Sequence, residues 1–147
     1  MDRAEFEQVW QRVRGEELPA KSREAVLWEW IEEAGAVLGD YSLLIERHAL
    51  WAERLRQEKQ RELKELRSEY FLLTGELCGG EPGRQRMQTG MLRLLRRAAR
   101  GEAAAAERYQ RAAESAGSRE QAVYAGLATG AERRFEELKK AILRTMR

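Results

Sequence analysis

Among the side chains that commonly bind metal ions, this chain has 25 Asp and Glu residues but very few of any other kind. Histidine and cysteine occur once each, as His48 and Cys78. A single cysteine allows neither a disulfide within the chain nor a multi-cysteine metal site. A single histidine, placed where a turn is expected, supports neither a zinc site nor a Ser-His-Asp triad. A metal site would therefore have to use mainly Asp and Glu.

Several charged residues fall on helical stripes that otherwise carry apolar side chains. Lys59 and Glu62 lie three residues apart, which places them on one face of a helix. Glu102 lies within an alanine-rich stripe, and Glu132 borders a further stripe. Charges that face a packed interior must be paired, because a lone buried charge costs several kcal/mol. These residues are the candidate site.

The composition predicts that an all-α, single-domain fold positions these charges. Hydrophobic residues make up 43% of the 147 residues and charged residues 35%, and proline occurs only as Pro19 and Pro82. Ala, Glu, Leu and Arg dominate, and all four are strong helix formers. We divide the chain into a short N-terminal helix with its linker, residues 1–20, and a main domain, residues 21–147.

The charge distribution argues against nucleic-acid binding and membrane insertion. The net charge is only +2, and acidic and basic residues alternate through most of the chain. The densest basic stripe, Arg93 to Arg100, is interpreted as a solvated helix face. No apolar run approaches the length of a membrane span, and the charged start is unlike a signal peptide. We therefore expect a cytoplasmic protein.

Four long amphipathic helices are expected after the N-terminal helix. Tyr41 and Tyr109 fall on interior stripes in related positions, so the main domain looks like two similar halves. Trp10, Trp28, Trp30 and Trp51 are expected to dock the N-terminal helix, or to line a pocket. The main helix signals are an N-cap at Ser22, an end at Gly75, a third helix from about Arg84 to Ser115, and an N-cap at Ser118.

The boundary between the first two long helices is poorly signalled. The turn must fall near residues 39–42 or around His48. If neither breaks the helix, one helix of more than 50 residues would result. At 1.5 Å per residue it would span roughly 80 Å, too long to pack within one chain. That alternative implies a domain-swapped dimer.

Three stretches resemble a known family in their order and spacing. Residues 70–76, YFLLTGE, close the second helix. Glu102 precedes Tyr109 by seven residues, and Glu132 is followed three positions later by Phe135. Together they resemble the ferritin-like superfamily, in particular its rubrerythrin-type members, over roughly residues 22 to 146. The resemblance implies a ferritin-like four-helix bundle preceded by a short N-terminal helix.

The resemblance also implies which positions would hold metal. In that family a Glu from each of two helices and a Glu-x-x-His pair from each of the others hold two iron or manganese ions. Carried onto this chain, Glu102 and Glu132 are retained, whereas Phe135 stands in place of a histidine. If metal is bound, Glu62 acts as a ligand, and Glu33 or Glu58 reaches into the site as a replacement acid. The corresponding positions are Ala34, Lys59, Glu62, Glu102, Glu132 and Phe135.

A lysine among these positions suggests what replaces the metal. Lys59 would be repelled by two cations, so we expect its ammonium group to bridge Glu62, Glu102 or Glu132 in a buried polar cluster. In the alternative, Lys59 extends to solvent and Glu62 lies on the surface. We expect Tyr41 and Tyr109 to lie near these carboxylates and to form hydrogen bonds with them.

Three functions remain open at this point. The first is a non-catalytic structural or interaction protein, with no cofactor, acting as a homodimer. The second is an active di-iron or di-manganese oxidase or peroxidase that uses Glu62, Glu102 and Glu132. The third is a helical adaptor whose likeness to ferritin-like proteins is superficial. A helix order other than two antiparallel pairs joined by a crossover would favour the third.

Overall fold

The computed structural model describes residues 2–5, 22–78 and 87–147. These ranges contain four long helices and no strand, so the all-α prediction is confirmed there. Residues 3–5 form one helical turn. The rest of the expected N-terminal helix, with Trp10 and Pro19, lies outside the described residues. The helices are α1 (Arg23–Glu46), α2 (Ala52–Thr74), α3 (Met91–Ser115) and α4 (Ser118–Thr145).

Local sequence signals account for the ends of α1 and α2. The Ser22 hydroxyl accepts a hydrogen bond from the Ala25 backbone N–H at 3.1 Å, which confirms the predicted N-cap. The turn after α1 contains His48 with a φ of +65°, and α2 ends at Gly75 with a φ of +73°. Two separate helices therefore form, and the alternative of one continuous swapped helix is wrong.

Two other predicted helix starts are also wrong. Residues 87–90 are not helical, and α3 begins only at Met91, after an N-cap at Gly90. Helix α4 begins at Ser118 itself, and its N-cap is Gly117 rather than Ser118. Before α3, the Met87 carbonyl and the Gln88 side chain accept hydrogen bonds from Arg97 and Arg47. These contacts with distant residues were not visible in the local pattern.

The helices form two antiparallel pairs, α1 with α2 and α3 with α4. Helix α1 packs against α3, and α2 packs against α4. Asp40 of α1 pairs with Arg97 of α3, and Glu33 pairs with Arg108, so α1 and α3 run in opposite directions. Helix α2 therefore ends near Ser22, whereas α3 begins near His48. The chain between them joins opposite ends of the molecule.

The apolar interior is divided into two clusters along the helix axes. The Ser22-end cluster includes Leu27, Ala34, Leu66 and Tyr109. The His48-end cluster includes Val37, Tyr41, Leu44, Leu55, Leu94 and Leu138. Each helix contributes to both clusters. The layer between them is therefore available for side chains of another kind.

None of the four described helices is both long enough and apolar enough to cross a lipid bilayer.

Candidate functional site

Four charged side chains occupy the layer between the two apolar clusters. They are Lys59 and Glu62 of α2, Glu102 of α3 and Arg134 of α4. Their relative exposures are 0%, 2%, 0% and 3%. Lysine, glutamate and arginine are almost never this buried unless they are paired. The helix stripes explain the placement, since the apolar neighbours at Leu55, Ala98, Ala131 and Leu138 are also buried.

The four side chains form a closed ring in which each carboxylate bridges both cations. Lys59 Nζ lies 2.7 Å from Glu62 Oε2 and 2.5 Å from Glu102 Oε1. Arg134 Nη2 donates to Glu62 Oε1, and Arg134 Nε donates to Glu102 Oε2. All four carboxylate oxygens are therefore satisfied within the ring. We refer to Lys59, Glu62, Glu102 and Arg134 as the charge ring.

The charge ring is electrically neutral, since two cations face two anions. Removing ions from water costs several kcal/mol each, and close pairing with good hydrogen bonds offsets that cost. Removing one member would leave a net charge in a sealed, apolar layer. The ring is therefore expected to be sensitive to the loss of any single member, even if its net contribution to stability is small.

The pKa shifts of the ring agree with this pairing. Burial raises the pKa of the Glu62 carboxyl, but the positive charges of Lys59 and Arg134 lower it by more than burial raises it. The net pKa of Glu62 therefore lies below the ordinary value. For Arg134, burial lowers the pKa, and Glu102 and Glu62 raise it more strongly, so the net pKa is raised. Glu62 and Arg134 are therefore held in their charged forms.

Two buried tyrosines flank the charge ring, as the sequence predicted. The Tyr109 hydroxyl donates a 2.9 Å hydrogen bond to Glu62 Oε2. The Tyr41 hydroxyl is buried beside Glu102 and interacts with that carboxylate. Burial raises the pKa of both phenols, and the nearby carboxylate charges raise it further. Both side chains are therefore neutral at physiological pH.

The structure corrects two expected members of the site. Glu132 is exposed and accepts a hydrogen bond from Gln110, so it does not join the interior cluster. Phe135 is half-buried and packs against the His48-end cluster. From α4 it is Arg134 that reaches the carboxylates, and sequence reasoning missed it. The stripe Ala131–Arg134–Leu138, with its spacing of three and four, would have revealed this residue.

The remaining candidate positions do not add ligands. Ala34 is fully buried in the Ser22-end cluster and has no ligating group. Glu33 is largely exposed and pairs with Arg108, while Glu58 pairs with Arg133. His48 is exposed in the turn after α1. Glu33 and Glu58 therefore form ion pairs away from the charge ring and do not replace its ligands.

These residues do not fit a di-metal centre of the ferritin-like kind. The interior layer holds two carboxylates, and both are already bridged by a lysine and an arginine. Across the described parts of the chain, no group of three or more His, Cys, Asp or Glu side chains is arranged to hold a metal ion. A divalent ion at this position would face two fixed cations at close range, which is strongly unfavourable in a sealed interior.

No protein-family model, curated protein or solved structure significantly matches this chain.

Proposed function

We propose that this chain is a ferritin-like four-helix bundle in which Lys59 and Arg134 replace the two metal ions, and that it serves a non-catalytic structural or interaction role. The observation that carries this proposal is the closed charge ring. In a carboxylate-bridged di-metal centre, two cations share bridging carboxylates. Here the ammonium and guanidinium groups share Glu62 and Glu102 in the same manner.

The helix order supports the ferritin-like part of the proposal. Ferritin-like bundles contain two antiparallel helix pairs joined by one long crossover. Helix α2 has 23 residues and is about 35 Å long at 1.5 Å per residue. The chain between Gly75 and Gly90 must span a similar distance to join the two ends. A helical adaptor with only a superficial likeness to ferritin-like proteins would not need a crossover between opposite ends of the bundle. The helix order therefore favours the ferritin-like bundle over the adaptor alternative.

The corrected register of α4 also agrees with the proposal. The Lys59–Glu62 pair of α2 has its counterpart in Ala131 and Arg134 of α4, again three residues apart. Glu62 and Arg134 both reach the charge ring, at positions where the Glu-x-x-His pairs of a di-metal bundle would place their histidines, whereas Ala131 packs in the Ser22-end cluster. The second candidate function, a di-metal oxidase or peroxidase, loses support because Glu132 is exposed and Arg134 is buried.

Elemental analysis of protein purified without chelators tests this proposal. We expect iron and manganese far below one ion per chain, and no oxygen or peroxide consumption when ferrous iron is added. Stoichiometric iron or manganese with ferroxidase activity that is lost in Glu102→Gln would overturn the non-catalytic role. Glu107→Gln, an exposed acid on the same helix, provides the matched control.

A further inference from the structure

A second feature, separate from the charge ring, is a cavity of about 630 Å³ at the Ser22 end of the molecule. It lies between α1, α3 and the start of α4. Small-molecule sites usually have volumes of about 300–1,000 Å³ and mostly apolar walls with a few polar groups. This cavity is open to solvent, and its volume falls within the range for a small organic ligand.

The inner wall of the cavity is aromatic and aliphatic. It includes Leu27, Trp30 and Tyr124. The Trp30 ring stands edge-on to Tyr109 and to Tyr124, with centroids 5.6 and 5.8 Å apart. These contacts fix the indole in place while leaving it half-buried at the cavity. Ala112 and Ala116 leave space opposite it, so a flat apolar body could pack against the ring.

The rim of the cavity is predominantly cationic. Three arginines line it, Arg23, Arg108 and Arg111, against one acid, Glu120, which pairs with Arg23 at 2.9 Å. Arg108 and Arg111 pair with Glu33 and Glu107 outside the cavity. Arg111 and Glu107 are 76% and 64% exposed, and an ion pair this exposed to solvent contributes little, whereas Arg108 is only 18% exposed. An anionic ligand could therefore compete most readily for Arg111.

The start of α4 adds to the positive potential. Gly117, the N-cap of α4, lines the cavity and supplies no capping side chain. The positive end of the dipole of a 28-residue helix thus faces the same space as the arginines. A neutral sugar or a cation would find few suitable partners here. The combination of an apolar wall and a cationic rim selects an amphiphilic anion.

We propose that this cavity binds a small organic anion with a flat apolar body, such as an aromatic carboxylate or sulfonate. The apolar body packs against Trp30 and Leu27, and the anionic group lies near Arg108, Arg111 and the start of α4. This inference does not depend on the proposed function, because it uses none of the residues of the charge ring.

Titration with 1-anilinonaphthalene-8-sulfonate, followed by its fluorescence, tests the proposal. We expect saturable binding of one molecule per chain, with a dissociation constant on the order of tens of micromolar for a ligand of this size. Ala112→Leu fills the cavity and should weaken binding at least tenfold. Ala103→Leu, at an exposed position on the same helix, is the matched control and should leave binding unchanged.

Removing a charge from the cavity or from the ligand tests whether binding requires an anion. Arg111→Gln should weaken binding about threefold, as expected for one partly screened contact, whereas Arg96→Gln, an exposed arginine away from the cavity, should have no effect. The uncharged analogue N-phenyl-1-naphthylamine should bind at least fivefold more weakly than the sulfonate.

If Ala112→Leu does not fold, Ala116→Leu replaces it. Equal affinities for Ala112→Leu and Ala103→Leu, absence of saturable binding, or equal binding of the uncharged analogue would overturn the proposal.

Discussion

Lys59 has the most unusual environment of any side chain in the charge ring. Its ammonium group has no exposure to solvent and lies between two carboxylates, on a stripe flanked by buried leucines. An uncompensated charge in such a layer costs several kcal/mol. The identity of this residue is therefore tied to Glu62, Glu102 and Arg134.

The first prediction concerns the loss of one cation. Lys59→Met keeps the length and apolar character of the side chain but leaves the ring with a net negative charge. We expect the free energy of unfolding, measured by urea denaturation, to fall by about 3–5 kcal/mol. Lys64→Met, an exposed lysine on the same helix, should change it by less than about 0.5 kcal/mol.

Restoring neutrality provides the control for this interpretation. Combining Lys59→Met with Glu102→Leu removes one cation and one anion. The double variant should lose less stability than the sum of the single losses, with a coupling energy on the order of 0.5–3 kcal/mol for groups in direct contact. Additive losses, or an unchanged Lys59→Met, would show that the ring does not act as a unit.

The second prediction concerns pH. Because the pKa of Glu62 is lowered in the folded state, the unfolded chain binds more protons at acidic pH, and stability rises with pH there. The contribution of Glu62 is complete above the unfolded pKa of about 4.3. It is lost as pH falls through the lowered folded pKa.

Urea denaturation between about pH 3 and 6 measures this dependence around the ordinary glutamate pKa. Glu62→Gln should flatten the loss of stability on acidification, because the residue can no longer take up a proton. Glu65→Gln, an exposed neighbour on the same helix, should retain the dependence of the unmodified chain. Identical acid profiles for Glu62→Gln and the unmodified chain would contradict the account.

Part of the site could be predicted from individual residues, and part could not. Lys59, Glu62 and Glu102 interrupt apolar stripes, and their interior placement follows from helical spacing. Arg134 is not predicted, because the likeness to a Glu-x-x-His motif begins at Glu132, one residue away from the stripe that is buried. Successive side chains of a helix point about 100° apart around its axis. An alignment that is shifted by one residue therefore names an exposed side chain in place of a buried one.

At the scale of helices, the contact between α1 and α3 depends on Gly101. A Cβ at this position would lie 2.5 Å from Val37 Cγ2, closer than packed atoms allow. Val37 is buried, and a valine in a helix has essentially one χ1 rotamer, so it cannot readily move aside. The absence of a side chain at residue 101 therefore allows the two helices to approach closely.

The third prediction follows from this contact. Gly101→Ala should lower the free energy of unfolding by about 1–3 kcal/mol through overpacking, despite the better helix propensity of alanine. Gly126→Ala is the matched control, since its Cβ would meet nothing within 4 Å in a similar helix. It should stabilise the protein by up to about 1 kcal/mol. Thermal denaturation that ranks the two variants in the opposite order would contradict the packing argument.

The helix boundaries show where local signals are sufficient. The N-cap at Ser22 and the left-handed residues His48 and Gly75 depend on neighbouring residues alone, and all three agree with the sequence. The start of α3 does not agree with the local signals. Arg47 and Arg97 form hydrogen bonds with the segment before Met91 and hold it near the end of α1. Contacts between residues so far apart in the chain cannot be inferred from helix propensity.

At the scale of the whole molecule, the helix order and the charge ring point to one interpretation. Two antiparallel pairs with a crossover place α2, α3 and α4 around a common interior layer. A di-metal bundle of this arrangement would place carboxylates and histidines there. This chain supplies Glu62 and Glu102 together with the amine of Lys59 and the guanidinium of Arg134. The proposal is that the fold keeps Glu102 at a ligand position, places Glu62 where the family has a histidine, and exchanges the metal ions for the side chains of Lys59 and Arg134.

Calorimetric titration with Mn(II) and anaerobic Fe(II) tests this claim most directly, with the unmodified chain compared with the double variant Lys59→Glu/Arg134→His. That variant removes both cations and introduces a carboxylate and an imidazole at the corresponding positions. The account predicts no interior binding by the unmodified chain, and metal binding with a rise in melting temperature for the variant. Tight binding of two ions per unmodified chain, abolished by Glu62→Gln or Glu102→Gln, would contradict it.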